Sequence, residues 1–171
     1  MTEILSLIDQ LIEEHKQILQ NIQTAQKVAN DTVAILELEQ TKEDFVPGRF
    51  NDQKQGLQNL QDSLETIDKG LQEHFSREET GLLTAFEKYG GGILASALRV
   101  LLLEHQEIKD RIAKSKKEVA ELASGDLSRE VREGGAWGVR VYLSHTRKLI
   151  QAHAQSEQEL FYKLRTELME A

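Results

Sequence analysis

Apolar residues recur at every third or fourth position along most of the chain, the spacing of one helix face. The first such run holds Ile4, Leu5, Ile8, Leu11, Ile12, Ile18, Leu19, Ile22, Ala25 and Ala29, with His15 in the same stripe. Thr2 suits its cap and Glu3 the positive end of its dipole. The pattern continues less cleanly to about Gln40, and a loop through Pro47 and Gly48 follows. Asn51 or Asp52 then starts a second helix whose stripe is Leu57, Leu60, Leu64, Ile67, Leu71, Phe75, Leu82 and Phe86. The glycines at 90, 91 and 92 end it. A third helix carries Ile93, Ala97, Leu98, Leu101, Leu102, Ile108, Ile112, Val119 and Leu122, and stops near Ser124 and Gly125. Asp126 or Ser128 caps a last helix reaching about Met169, with Gly134, Gly135 and Gly138 expected to kink or detach its first turns. No segment alternates as strands do. The pattern predicts an all-α protein, an up-down-up-down antiparallel four-helix bundle forming a single domain over residues 1–171.

Composition narrows the chemistry. The chain has no cysteine, which excludes disulfides, thiolate metal sites and cysteine nucleophiles. Any bound metal must be held by histidine and carboxylate. The net charge is -8 and no basic block is interleaved with aromatics, which argues against nucleic acid as a partner. No apolar run reaches the roughly 18 residues of a membrane span and no signal-peptide pattern opens the chain, so a soluble, cytoplasmic protein with no membrane partner is expected.

The five histidines carry the strongest signal. His15, His74 and His105 fall on the first three helices, and His145 and His153 on the last. His74-Phe-Ser-Arg-Glu78 and His153-Ala-Gln-Ser-Glu157 share the pattern H-x-x-x-E, which places an imidazole and a carboxylate on successive turns of one face. An internal repeat joins them. The segment from Leu11 to Ile22 matches that from Leu101 to Ile112 at Leu, Glu, His, Ile and Ile, so that Glu14-His15 aligns with Glu104-His105. Leu71-Gln72-Glu73-His74 aligns with Ile150-Gln151-Ala152-His153, and Glu78 with Glu157. Two halves, each giving a lone histidine and an H-x-x-x-E pair, predict a pseudo-twofold bundle and suit two metal ions better than one.

Helix lengths bring these residues to a common depth. His74 lies about 22 Å from the glycine turn and His105 about 20 Å on the other side, at 1.5 Å per residue. His15 and His74 level similarly across the first loop. His105 and His153 level only if the packed part of the last helix begins near Gly135. His145 has Leu149 four places on, lacks the motif, and reads as a surface, packing or access-channel residue.

On these residues the chain resembles the hemerythrin-like (HHE) family over essentially its whole length. The pieces are E-H-x-x-I at Glu14–Ile18 and Glu104–Ile108, and H-F-x-x-E-E at His74–Glu79. The resemblance implies six metal ligands: His15, His74, Glu78, His105, His153 and Glu157. Two features separate it from oxygen-carrying hemerythrins. They have a histidine where this chain has Lys109, and an H-x-x-x-x-D motif where this chain has Glu157 and then Gln158. Four histidines and two glutamates resemble more closely the di-iron proteins that repair iron–sulfur centres, which usually carry a cysteine-bearing N-terminal segment that this sequence lacks. The chain is thus similar to a free-standing metal domain of the wider family.

The resemblance implies a non-haem centre of two iron ions, with Mn or Zn as possible substitutes, bridged by Glu78, Glu157 and an oxo or hydroxo group, and with two neutral histidines on each metal. An open position would take dioxygen, nitric oxide or peroxide. The histidine-rich set favours binding or sensing such molecules, or handling iron, over catalysis. An iron–sulfur-centre repair or peroxidase-like enzyme on the same site is the alternative, and a metal-free helical interaction module is a third reading. Glu14, Glu73 and Glu104, beside ligand histidines, are read as exposed charge, with orientation of imidazoles as the alternative. Trp137, Tyr142 and Tyr162 are read as core aromatics, with lining of the metal cavity as the alternative.

Overall fold

The computed structural model describes residues 1–40, 49–125 and 127–170. The Pro47–Gly48 loop and the Asp126 cap lie outside the described residues. The elements form four rods and, among the described residues, no strand. The first rod is α1 (Thr2–Gln40). The second is α2 (Arg49–Arg77), a π-helical turn (Glu78–Leu82) and α3 (Leu83–Tyr89). The third is α4 (Gly91–Leu102) and α5 (Glu104–Ala123), and the fourth is α6 (Arg129–Glu170). Packing of α1 on α2 and α6, and of α5 on α2 and α6, closes them into a square bundle. Gly91 makes the turn between the second and third rods at φ 65°, in the left-handed region that glycine enters without a Cβ clash. Ser128 caps α6, its Oγ accepting from the Val131 N–H at 3.4 Å.

Two apolar layers fill the interior. Ile18, Ile22, Leu64, Leu71, Ile108, Ile112, Leu143 and Ile150 belong to one. Ile8, Leu11, Leu82, Phe86, Leu98, Phe161 and Leu164 belong to the other. On every rod the changeover falls at a residue of one buried His/Glu cluster: His15 between Leu11 and Ile18, Glu78 between Phe75 and Leu82, His105 between Leu98 and Ile108, and His153 and Glu157 between Ile150 and Leu160. The four inward histidines therefore lie at one depth, in a polar layer between two greasy ones. Among the described residues no helix is long and apolar enough to cross a membrane.

Several expectations are corrected. The α6 glycines do not detach its start, which is continuous with the rest of the helix from Arg129. A Cβ on Gly135 would lie 2.6 Å from Leu122 Cδ2, so this glycine admits close approach of α6 to α5, and the packed part of α6 does begin there. The third rod breaks at Leu103, whose N–H bonds to Val100 O three residues back instead of four. Ile93 stands 86% exposed, while Leu94 and Ala95 take the buried places. The turn at Gly91 sets the phase of α4 from Leu94 and Leu98, which leaves Ile93 on the outer face. In the second rod the π turn absorbs one extra residue. Glu78 and buried Phe86 are eight residues apart, whereas Glu157 and buried Leu164 are seven apart, yet both pairs meet the same core.

Phe86→Ala should cost about 3–5 kcal/mol of stability and Ile93→Ala less than about 0.5 kcal/mol. Denaturant unfolding of the two variants checks which residue belongs to the core.

Candidate metal centre

All six residues singled out by the repeat reach the polar layer. His15, His74, Glu78, His105, His153 and Glu157 are each at most 4% exposed. They form two groups that share both glutamates: His15, His74, Glu78 and Glu157, and Glu78, His105, His153 and Glu157. Within each group one donor atom per residue lies within 4.8 Å of every other, a spacing suited to a metal ion. The oxygens divide between the groups. Glu78 Oε1 is 3.4 Å from His15 Nε2 and 2.8 Å from His74 Nε2, while its Oε2 is 3.1 Å from His105 Nε2. Glu157 Oε2 is 3.1 Å from His15 Nε2, while its Oε1 is 3.2 Å from His105 Nε2 and 2.7 Å from His153 Nε2. Each carboxylate thus offers one oxygen to each histidine pair.

Hydrogen bonding within the protein leaves this cluster incomplete. His74 Nε2, His153 Nε2 and both oxygens of Glu78 are buried and have no hydrogen-bond partner, despite their short separations. Buried polar atoms are rarely left so. Donors facing one another without hydrogen-bond geometry are what a cation between them would satisfy, and imidazole with carboxylate suits Fe, Mn, Zn and Co.

The outer nitrogens are held from neighbouring rods. His74 Nδ1 donates to Glu14 Oε2 at 2.7 Å, His105 Nδ1 to Glu79 Oε1 at 2.8 Å, and His153 Nδ1 to Glu104 Oε2 at 2.9 Å. Glu14 and Glu104 therefore take the alternative role of orienting imidazoles, Glu14 largely buried and Glu104 with its side chain still 42% exposed. Each orients a histidine, but on the adjoining helix instead of its own. Glu73 is exposed, as the exposed-charge reading has it. Glu79 was missed. Its signal was the second glutamate of H-F-x-x-E-E, immediately after a buried carboxylate, where it leaves the inner face and meets the next rod. Arg77 Nη2 lies 2.7 Å from Glu14 Oε1, and Lys109 Nζ lies 3.8 Å from Glu79 Oε1. Lys109 thus faces an orienting acid instead of the cluster.

His145 is exposed and takes no part. Trp137 and Tyr162 are 57% and 52% exposed, so neither is a core aromatic. Tyr142 is half-buried beneath Arg111, whose guanidinium carbon is 4.2 Å from the ring centroid. These three sit on the outward side of α6, whose inward positions are taken by Ala136, Val139, Leu143, Ile150 and Phe161.

The metal-free cluster holds protons where a cation would sit. Burial opposes protonation of His15 and His105, but the carboxylates of Glu157 and Glu78 outweigh it and raise both pKa values to about 9. His153 is raised too, burial being outweighed by Glu157 and Glu104. Burial works against ionisation of Glu78, yet His105, His15 and His74 hold it well below the ordinary carboxyl value. Glu157 is also lowered, by His105, His15 and His153 against its burial and the Glu78 charge. The raised histidines favour folding fully below about pH 6.5, and that contribution fades as pH rises through about 9. The lowered carboxyls contribute above their ordinary value near 4.5, and lose that contribution as pH falls through their folded values. A metal needs the imidazoles neutral. The melting temperature of chelator-treated protein should accordingly fall from pH 6.5 to 9, while the increment from added divalent cation grows. Thermal melts in the two conditions across that range measure both slopes.

The chain matches no curated protein and no solved structure at a significant level. The family model described as the hemerythrin HHE cation-binding domain matches residues 6–164, which takes in all four rods and every residue of the cluster. A bundle of four helices around paired His/Glu clusters is what a cation-binding domain of this kind requires, and the chain belongs to the hemerythrin HHE cation-binding domain family.

Proposed function

We propose that this chain is a non-haem di-iron protein that binds or senses a small molecule such as dioxygen or nitric oxide, or handles iron. His15 and His74 hold one ion, His105 and His153 the other, and Glu78 and Glu157 bridge them. The observation that carries this reading is the division of carboxylate oxygens, one from each glutamate to each histidine pair. Two dications bring a charge of +4, of which the two carboxylates offset half, so the site favours a further anion such as hydroxide. Manganese or zinc would fit the same donors.

The surroundings favour a small ligand. A cavity of about 10 Å³ abuts His15, His74 and His153 and is otherwise lined by Ile18, Leu71, Phe75, Ile108, Ile150 and Ala154. That is room for about one water-sized molecule. So small a space favours a small ligand over an organic substrate. The metal-free module is disfavoured because four imidazoles and two carboxylates buried without a cation are costly and poorly paired.

Anaerobic loading with Fe(II) should give two ions per chain by elemental analysis, and subsequent exposure to oxygen should bring up near-ultraviolet charge-transfer bands. Glu157→Ala and His74→Ala should each lose metal and melt at lower temperature, since the metal binds the folded state alone. His145→Ala should keep both ions. Full metal content in both ligand variants would defeat the assignment. Turnover of peroxide by the loaded protein would instead favour a peroxidase-like enzyme.

A further inference from the structure

The pseudo-twofold repeat makes each half of the centre a template for the other. Glu14 orients His74 and its counterpart Glu104 orients His153, at 2.7 and 2.9 Å. His105 is oriented by Glu79, the residue that follows bridging Glu78. The residue that follows Glu157 is Gln158, half-buried on α6 and uncharged. The histidine it would serve by this symmetry is His15 on the neighbouring α1. His15 Nδ1 is buried and has no hydrogen-bond partner. Three imidazoles are thus tied to carboxylates through the outer nitrogen and one is not. A carboxylate on the outer nitrogen fixes ring orientation and strengthens the inner nitrogen as a donor. A neutral amide does so more weakly.

A second departure falls beside the same histidine. Phe75 follows His74 and stacks on His105, with centroids 3.7 Å apart and planes 11° apart. The residue following His153 is Ala154, so the repeat offers His15 no ring there. The cavity described above lies at Ala154 and borders His15, His74 and His153 but not His105. Phe161 does stack on His15, at the longer centroid distance of 5.7 Å. His105 is therefore held by a charged acceptor and a close ring, whereas His15 has a more distant ring and open space alongside.

We infer that the two metal positions are unequal, and that the ion between His15 and His74 is the weakly held, exchangeable one. This rests on the dinuclear reading above. Gln158 is the positioning residue that sets the difference, through the carboxylate it does not provide. The ion between His105 and His153 then stays bound when the other leaves, so a one-metal state with a defined vacancy is part of the normal behaviour of the protein.

Single-site affinities test this more directly than stepwise loading, because repulsion between two cations would separate even equal sites. Anaerobic Fe(II) titrations against a competing chelator are made on His74→Ala and His153→Ala, each of which spoils one position. His74→Ala, which keeps the His105–His153 position, should bind one ion about 10–100-fold more tightly than His153→Ala. Adding Gln158→Glu to His153→Ala should recover about 10-fold. In the otherwise unaltered chain, Glu79→Gln should weaken the tighter of the two ions by about 10–100-fold, and this readout survives if a ligand variant fails to fold. Equal affinities in the two single-site variants, tighter binding in His153→Ala, or an unmoved tighter constant in Glu79→Gln would each overturn the inference while leaving two ions per chain. Fewer than two ions in the unaltered chain would overturn the dinuclear reading itself.

Discussion

Four imidazoles and two carboxylates lie inside a helical bundle, where the low dielectric makes an unpaired charge very expensive. This constraint organises the rest of the molecule. The apolar interior is split into two layers, and the inner nitrogens and carboxylate oxygens face one another between them. The carboxylates cannot remain ionised at that depth without a positive neighbour, which is either protons on the surrounding nitrogens or cations among them. The two are mutually exclusive, because the same inner nitrogens serve both. Binding of a cation is therefore also displacement of protons, and the strength of the site depends on pH through the histidines whose protonation the carboxylates promote.

Much of the arrangement was legible in the sequence, for a physical reason. An H-x-x-x-E pair is held by one helix, so its geometry follows from the backbone alone. A repeat that sets two such pairs against two single histidines leaves few ways to place them other than at one level. His15, His74, Glu78, His105, His153 and Glu157 could all be named, and all converge. Glu14, Glu79 and Glu104 were harder because each acts across an interface. Whether a glutamate beside an inward histidine reaches an imidazole on the next rod depends on how two helices are rotated against each other, and periodicity does not encode that rotation. The π turn at Glu78–Leu82 and the break at Leu103 were hidden likewise, since neither contains proline. Glycines misled in the opposite direction. Those in α6 suggest a break, but Gly135 is there because Leu122 leaves no space for a side chain.

The departures from twofold symmetry carry more information about function than the symmetry does. Two equal halves would make two equal sites. The differences between the halves, glutamine in place of glutamate at Gln158 and alanine in place of phenylalanine at Ala154, both correspond through the repeat to supports of His15 that His105 has in Glu79 and Phe75. Lys109 belongs to the better-supported side, where its ammonium lies near Glu79 and adds a further layer behind His105.

The acids that orient the histidines belong to different rods from the histidines they hold. Glu14 on the first rod grips His74 on the second, Glu79 on the second grips His105 on the third, and Glu104 on the third grips His153 on the fourth. The bundle is in effect laced around its waist, with each helix fastening the next. Axial slippage of any one rod by a single residue, about 1.5 Å, would loosen its own donor and its neighbour's together. Such a lacing resists piecemeal fraying at mid-height; between the fourth rod and the first no outer acid fastens His15 Nδ1, and there the buried Glu157 carboxylate, 3.1 Å from His15 Nε2, makes the join from within.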